Sequence, residues 1–473
     1  MPKRKLIYQI YPSAVGSLED IRALIPQIAA QIGPDYIWLS PIFQSPWVDG
    51  GYDISDYRKI DPRFGNLNDF RKLIATAKRY HIEILLDLVL NHSSSAHPWF
   101  KKSANHDPRY KDYYVWTDKP LNWQSFFSGP AFSYNQVRGK YYLHLYDTSQ
   151  PDFNYNNPQI LREFKEIIDY WTKKGVAGFR VDSANILAES SLKPGLLPRI
   201  TGFTHYYQTA NTVTILEKLL ARPDVFAIAE PIGGDFLSKR RFRALTNKAF
   251  DASFNIGTLD VADTFLSIKG HPLKVNYRRW LRKLADWSNE PTFSLALESH
   301  DTPRAPSRFH ADPRVLAMLQ FLLPTNYPCI YQGQELGTKN PKLSSNINDY
   351  PGVESRMVYR QLRREGKTKA QAMRIVKQRS RDNARQPVDW GAYITQSKQP
   401  NSPLSTYHRL IQLWRTDPVL IHGKLKIKRI TKTGIFDFYR IYRNRRYFVH
   451  LDFSGHTVSY LQNAAGEKII KSR

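Results

Sequence analysis

The sequence predicts an α/β fold: a (β/α)8 barrel with a small domain inserted after its third strand and an antiparallel β-domain at its C-terminal end. Three observations lead there. Eight short apolar runs recur along the 473 residues, mostly separated by helix-length segments, and repeated strand–helix alternation implies a parallel sheet. Eight such strands close into a barrel whose active site lies at their carboxyl ends. Two stretches, 93–155 and 405–473, break the alternation. An open doubly wound sheet is the alternative, but no Gly-x-Gly-x-x-Gly follows an early strand here.

The elements follow in order. Leu6 to Tyr11 reads as a strand. Ser17 then caps a helix, with Asp20 three residues on and apolar residues at 18, 21, 24, 25, 28 and 32. Tyr36 to Leu39 is the second strand and Phe70 to Tyr80 the next helix. Ile82 to Leu90 is a near-continuous apolar run, the mark of a strand covered on both faces. Asn157-Pro158 opens an amphipathic helix that Gly175 closes. The remaining strands are Gly178 to Val181, Val225 to Ala229, Ala252 to Ile256, Phe293 to Leu297 and Pro328 to Gln332. The expected division is a barrel over 1–92 and 156–404, an inserted domain over 93–155, and a C-terminal β-sandwich over 405–473. The last region begins with a helix-like stretch, Tyr407 to Trp414, before turning β-rich.

Composition bounds the function. Hydrophobic residues at 41% allow a large core, so wholesale disorder is excluded. One cysteine, Cys329, excludes an intrachain disulfide and a cysteine-built metal cluster. No signal-peptide pattern and no 18-residue apolar run are visible, so a cytoplasmic protein without a membrane partner is expected. Against 42 acidic residues stand 69 Lys and Arg, for a net charge of +27. Ten of the basic residues fall within 356–381, against the single acid Glu365. Such a field attracts polyanions, but no nucleic-acid recognition motif accompanies it. A helix such as Val358 to Arg374 would point most of these charges at water.

Chemistry gathers where the strands end. Arg180 and Asp182 are two apart and share a strand face; a neighbouring guanidinium favours the ionised carboxylate that a nucleophile needs. Glu230 ends an apolar strand, where partial burial raises a carboxyl pKa toward general-acid use. His300 and Asp301 follow another strand. Asp87 interrupts the apolar run 82–90 and needs a partner, for which Arg180 is the candidate; Asn91 and His92 follow. Singly, each reads as a structural residue. Besides Asp87, which lies inside its run, they place three carboxylates, two histidines and an arginine at four strand ends of one barrel. A metal site is the rival reading for His and Asp, but no His-x-x-x-His spacing supports it.

In these residues the chain resembles glycoside hydrolase family 13, the α-amylase family, in its oligo-1,6-glucosidase and α-glucosidase branch. The matching motifs include Tyr8-Gln9-Ile10-Tyr11-Pro12, Gly51-Tyr52-Asp53, Asp87-Leu88-Val89-Leu90-Asn91-His92 and Gln150-Pro151-Asp152. Gly178-Phe179-Arg180-Val181-Asp182, Ala229-Glu230, His300-Asp301 and Arg381-Asp382-Asn383-Ala384-Arg385 continue the set in family order. The resemblance implies Asp182 as catalytic nucleophile, Glu230 as general acid/base, and Asp301 as the carboxylate that holds the sugar's 2- and 3-hydroxyls. It implies that Tyr52, His92, Arg180 and His300 line the pocket. It also implies that Asp49 and Arg385 grip the non-reducing-end glucose and close it, which means exo action. Retention of configuration would follow, with the two carboxyl groups ~5–5.5 Å apart.

Departures from the family pattern carry expectations of their own. Where the branch has a calcium loop of Asp, Asn, Asp and Gly, this chain has Ser13-Ala14-Val15-Gly16-Ser17, so no calcium and no other cofactor is expected. Ser183 stands where α-1,6-specific members have Val and α-1,4-active ones Thr or Ala, which leaves linkage open; it is counted among the substrate-contacting residues. Gly50 follows Asp49 where the family usually has Asn, and Ser299 precedes His300 where it usually has Asn. The expected activity is a retaining, exo-acting α-glucosidase that hydrolyses terminal α-1,6 bonds of short oligosaccharides, with α-1,4 bonds left open, working as a monomer without nucleic acid. The alternatives are trehalose-phosphate hydrolysis, sucrose isomerisation or glucosyl transfer at the same site. A non-enzymatic barrel relative is a further alternative, opposed by the three carboxylates.

Overall fold

The computed structural model describes residues 4–195, 202–232, 238–254 and 275–472. Eight parallel strands close into one barrel: β1 (Ile7–Ile10), β2 (Tyr36–Leu39), β3 (Glu83–Val89), β4 (Gly178–Asp182), β5 (Phe226–Ala229), β6 (Ala252–Phe254), β7 (Phe293–Ala296) and β8 (Tyr327–Tyr331). Each pairs with its sequence neighbours, and β8 closes onto β1 with Ile7 opposite Cys329. All eight expected runs are strands of this barrel. The sixth was expected to reach Ile256, and its last two residues lie outside the described residues.

Alternation along the strands sorts the side chains into two layers. Ile7, Trp38, Leu85, Ile228 and Phe254 pack inside the barrel. Tyr8, Ile37, Leu86 and Phe179 face outward, in one continuous core with the surrounding helices. The register sets Asp87 directly beside Arg180 and Val89 beside Asp182.

Local sequence rules place the helices. Ser17 and Asp20 form the expected reciprocal capping box at the start of Leu18–Gln31. Asn66 and Asp69 cap Leu67–Arg79 in the same way, three residues earlier than apolar spacing indicated. Asn157 caps Pro158–Thr172, and Gly175 follows with φ +94°. The single helix expected around Val358–Arg374 is two, Val353–Arg364 and Lys369–Arg379. Gly366 at φ +84° ends the first, because only glycine takes that conformation without strain. Thr368 then caps the second. Val358, Leu362, Met373 and Val376 bury the shared face of this pair, and Arg360, Arg363, Arg364 and Arg374 are exposed.

Between β3 and β4 the chain builds a small three-stranded antiparallel sheet of Trp116–Thr117, Lys140–Leu143 and Phe132–Asn135, in that order. Its own apolar cluster, including Trp123, Phe126 and Phe132, also takes in Tyr206 from the segment after β4. After helices Pro403–Thr416 and Pro418–His422 come five antiparallel strands: β9 (Lys424–Ile430), β10 (Ile435–Tyr442), β11 (Arg445–Asp452), β12 (Tyr460–Gln462) and β13 (Lys468–Lys471). Among the described residues they form one sheet rather than the two facing sheets of a sandwich. Its inner face (Phe436, Phe438, Val449, Leu451) joins the barrel's outer core. Buried Arg440 donates to the carbonyls of Leu322 and Leu420 at 2.8 and 2.9 Å, which satisfies helix-terminal acceptors with a cation. Among the described residues no helix is long and apolar enough to cross a membrane.

Candidate active site

The polar residues at the barrel's carboxyl end meet around Arg180. Its Nη1 lies 2.8 Å from Asp87 and 2.6 Å from Asp182, and its Nη2 lies 2.5 Å from Glu230. The partner expected for Asp87 is therefore the one found. Arg180 and Asp182 share a strand face by period-2 alternation, and register adds Asp87 from β3 and Glu230 from the end of β5. The Asp87 carboxylate also accepts from Trp38 Nε1 at 3.1 Å and Tyr52 Oη at 3.0 Å. A fully buried carboxylate thus has charge and hydrogen bonds around both oxygens.

Ser183, in the left-handed region at φ +50°, sits between the carboxylates of Asp182 and Glu230. Its N–H donates to Glu230 Oε2 at 3.2 Å, and its hydroxyl donates to Asp182 Oδ2 at 3.0 Å. Tyr146 Oη stands 2.5 Å from the same hydroxyl.

A second group is joined to the first through Tyr52, whose Oη meets both Asp87 and His300 Nε2. His300 is wholly buried, its ring nearly parallel to those of Tyr11 and Tyr52 at centroid distances of 5.5 and 5.4 Å. Gln9 meets its Nδ1 at 2.6 Å. Asp301 lies 2.9 Å from His300, 2.8 Å from Arg385 and 3.3 Å from Arg381. Asp49 pairs with Arg381 at 2.7 Å and accepts from Gln150 at 3.1 Å. Gln150 also meets His92 Nε2 at 2.9 Å. Arg385 bonds Asp301 and the His300 carbonyl and lies near enough to Asp49 to pull its pKa down against burial, while Arg381 makes the ion pair with Asp49. Arg381 was legible only as a member of the motif that ends in Arg385 and of the basic run. Tyr146 carried no signal beyond standing four residues before Gln150.

The environment separates the protonation states of these groups. Burial pushes the Glu230 carboxyl well above its ordinary range, with Arg180 pulling the other way and Asp182 adding to the rise. Burial would raise Asp301 as well, but His300, Arg385 and Arg381 overcome it and hold that carboxyl well below the usual range. Burial raises Asp87 to about 7 against the pull of Arg180. His92 and His300 are pushed down to about 4 by burial, so both are neutral donors and acceptors near neutral pH. A carboxylic acid beside a second carboxylate, with a third held ionised across the pocket, can protonate a leaving oxygen while an anion faces the bond being broken.

The loop after β1 is a short 3-10 turn, Pro12–Ala14, that runs into the Ser17 cap. The nearby Asp20 carboxylate accepts from both the backbone and the hydroxyl of Ser17. Among the described residues no group of three or more His, Cys, Asp or Glu side chains is arranged to hold a metal ion.

Comparison with known proteins agrees with this geometry. Residues 11–423 match the family model of the α-amylase catalytic domain. The oligo-1,6-glucosidase of Parageobacillus thermoglucosidasius is 30% identical, over 96% of this chain and 91% of that one. The trehalose-6-phosphate hydrolase of Escherichia coli K12 is 34% identical, over 81% of this chain and 74% of that one. The crystal structure of isomaltulose synthase from Klebsiella sp. LX3 superposes with a TM-score of 0.85 at 26% identity, covering 95% of this chain and 90% of that one.

Proposed function

The chain belongs to the α-amylase family of glycoside hydrolases, and we propose that within it this enzyme is a retaining, exo-acting α-glucosidase of short oligosaccharides. In this reading Asp182 is the nucleophile, Glu230 the acid/base, and Asp301 the carboxylate that holds the sugar hydroxyls. Tyr52, His92, Arg180, Ser183, His300 and Arg385 contact the terminal glucose, and no metal takes part. The observation that carries it is one guanidinium, Arg180, contacting the carboxyl groups of both Asp182 and Glu230 while burial raises the Glu230 carboxyl well above its ordinary range. Arg180 stabilises the anion at Asp182, and Glu230 supplies the proton. Two ion pairs, Asp49–Arg381 and Asp301–Arg385, stand at one end of the pocket; this supports a blind end that admits only a chain terminus. The reaction proceeds by attack of Asp182 on the anomeric carbon as Glu230 protonates the leaving oxygen. Water activated by Glu230 then releases glucose.

The test is Asp182→Ala and Glu230→Gln on isomaltose and maltose. Each is expected to lose several orders of magnitude in turnover, and the wild type should release α-glucose first. Wild-type rates in either variant, or initial β-glucose, would overturn the reading. A second reading, hydrolysis of a phosphorylated disaccharide, is favoured by the 34% identity to a trehalose-6-phosphate hydrolase.

A further inference from the structure

Ser183 touches both carboxylates of the proposed reaction, one through its backbone and one through its side chain. Its left-handed backbone is what aims the two groups at once. The hydroxyl has a single hydrogen. An ionised Asp182 only accepts, so that hydrogen belongs to Asp182 Oδ2. Tyr146 is then the donor across the 2.5 Å contact with Ser183 Oγ. The chain of bonds runs one way, from Tyr146 through Ser183 to Asp182 Oδ2. Tyr146, Ser183 and Asp182 are all buried. The Tyr146 ring is wedged against Phe126, Phe127 and His92 at centroid distances of 5.2 to 5.3 Å.

We propose that Tyr146 and Ser183 are positioning residues that set the balance between formation and breakdown of the glucosyl–Asp182 ester. The inference rests on the retaining reading above. Asp182 Oδ1 is held by a charge-assisted bond from Arg180 at 2.6 Å, and Oδ2 by a neutral hydroxyl at 3.0 Å. The lone pair on Oδ2 is the less strongly held of the two, and it makes the attack. In the first step the Oδ2–C1 bond forms, the glycosidic C1–O bond breaks, and the Glu230 proton passes to the leaving oxygen. Oδ2 is now an ester oxygen with little charge, and the bond from Ser183 weakens. In the second step water attacks C1, its proton passes to Glu230, and the C1–Oδ2 electron pair returns to Oδ2. The Ser183 bond is then regained. A donor that prefers the free carboxylate opposes the first step and favours the second. Tyr146 strengthens that donor by polarising it.

The experiment is stopped-flow hydrolysis of p-nitrophenyl α-glucoside by the full chain. Loss of one such hydrogen bond corresponds to roughly tenfold in rate. Ser183→Ala should therefore show a burst of about one p-nitrophenol per active site, with kcat falling, KM falling further, and kcat/KM rising by up to roughly tenfold. Tyr146→Phe, which removes one oxygen atom, should move in the same direction by less. Ser183→Thr keeps the hydroxyl and should restore wild-type partitioning. A fall in kcat/KM without a burst in Ser183→Ala overturns the proposal, as does a threonine variant that behaves like alanine. If Ser183→Ala does not fold, Tyr146→Phe decides: wild-type burst amplitude and KM in that variant overturn the proposal. Failure of the underlying reading looks different, since Asp182→Ala would then retain turnover.

Discussion

Gly50 has no room for a side chain. A Cβ there would lie 2.4 Å from Nη1 of Arg385 and 2.8 Å from the Tyr11 hydroxyl, and the backbone sits at φ +60°. An asparagine, the residue usual in the resembling family, tolerates that backbone but not the approach of this arginine. Gly50→Ala should therefore displace Arg385 from Asp301 and the His300 carbonyl. We expect kcat/KM on isomaltose to fall by an order of magnitude or more, mainly through KM, with a smaller effect on thermal unfolding. Unchanged kinetics would show that Arg385 does not touch the sugar. Arg381→Ala makes the parallel case on the other side of the pocket end. It leaves buried Asp49 with Gln150 but without its cation, and breaking a buried pair costs about 3–5 kcal/mol. Loss of both stability and terminal-glucose binding is expected in that variant. Maltotriose should still yield glucose only from its non-reducing end in the wild type, and efficient internal cleavage of dextran would contradict the blind pocket.

Strand pairing decides what the carboxylates see. Asp87 on β3 stands beside Arg180 on β4, and it shares that guanidinium with Asp182 and Glu230. Asp87→Asn replaces one of the three carboxyl groups that share Arg180 with a neutral amide. Arg180 then stabilises ionised Glu230 more strongly, so the alkaline limb of kcat/KM should move to lower pH; an unmoved limb would separate Asp87 from Glu230. A second pH effect belongs to the short helix Pro98–Ala104. Its cap His97 accepts from the Trp99 N–H at 3.0 Å and is buried against Trp99 and Tyr57, with Asp56 raising and Arg58 lowering its pKa. Burial holds its folded pKa at about 3. The unfolded chain takes up this proton first, so the stability due to neutral His97 is present above about pH 6.5 and is lost as pH falls toward 3. Between pH 8 and 5 that loss is about 2 kcal/mol, and His97→Gln should reduce the acid destabilisation by that amount in urea titrations. The elements themselves were legible where one periodicity ruled: β3 as a near-continuous apolar run, and Leu18–Gln31 from its capping box. Sequence was silent where contacts are long-range. Nothing local announces that Arg381 reaches Asp49, 332 residues earlier, or that Tyr146 meets Ser183. Gly366 was a legible helix breaker that the basic run obscured.

The surplus of 69 basic over 42 acidic residues is a property of the whole molecule, and its placement bears on the substrate. The arginines of the pocket are matched by carboxylates: Arg180 by Asp87, Asp182 and Glu230, Arg381 by Asp49, Asp301 and Glu354, and Arg385 by Asp301. A substrate phosphate placed among them would have to displace those partners. The exposed arginines of Val353–Arg364 and Lys369–Arg379 face water, where their field decays over about 8 Å at physiological salt and about 3 Å at 1 M. A neutral α-glucoside meets none of this field and should show kcat/KM that is flat with ionic strength. A phosphorylated disaccharide drawn in by the surface alone should lose its advantage as salt screens it, whereas one held by direct guanidinium contacts keeps much of it. Measuring isomaltose, maltose and trehalose 6-phosphate at 0.05 and 1 M salt therefore separates the cases. We expect the neutral sugars to be the better substrates at both concentrations. A large preference for trehalose 6-phosphate that survives 1 M salt would instead place a dedicated phosphate-binding group beside the pocket and make the phosphorylated sugar the substrate.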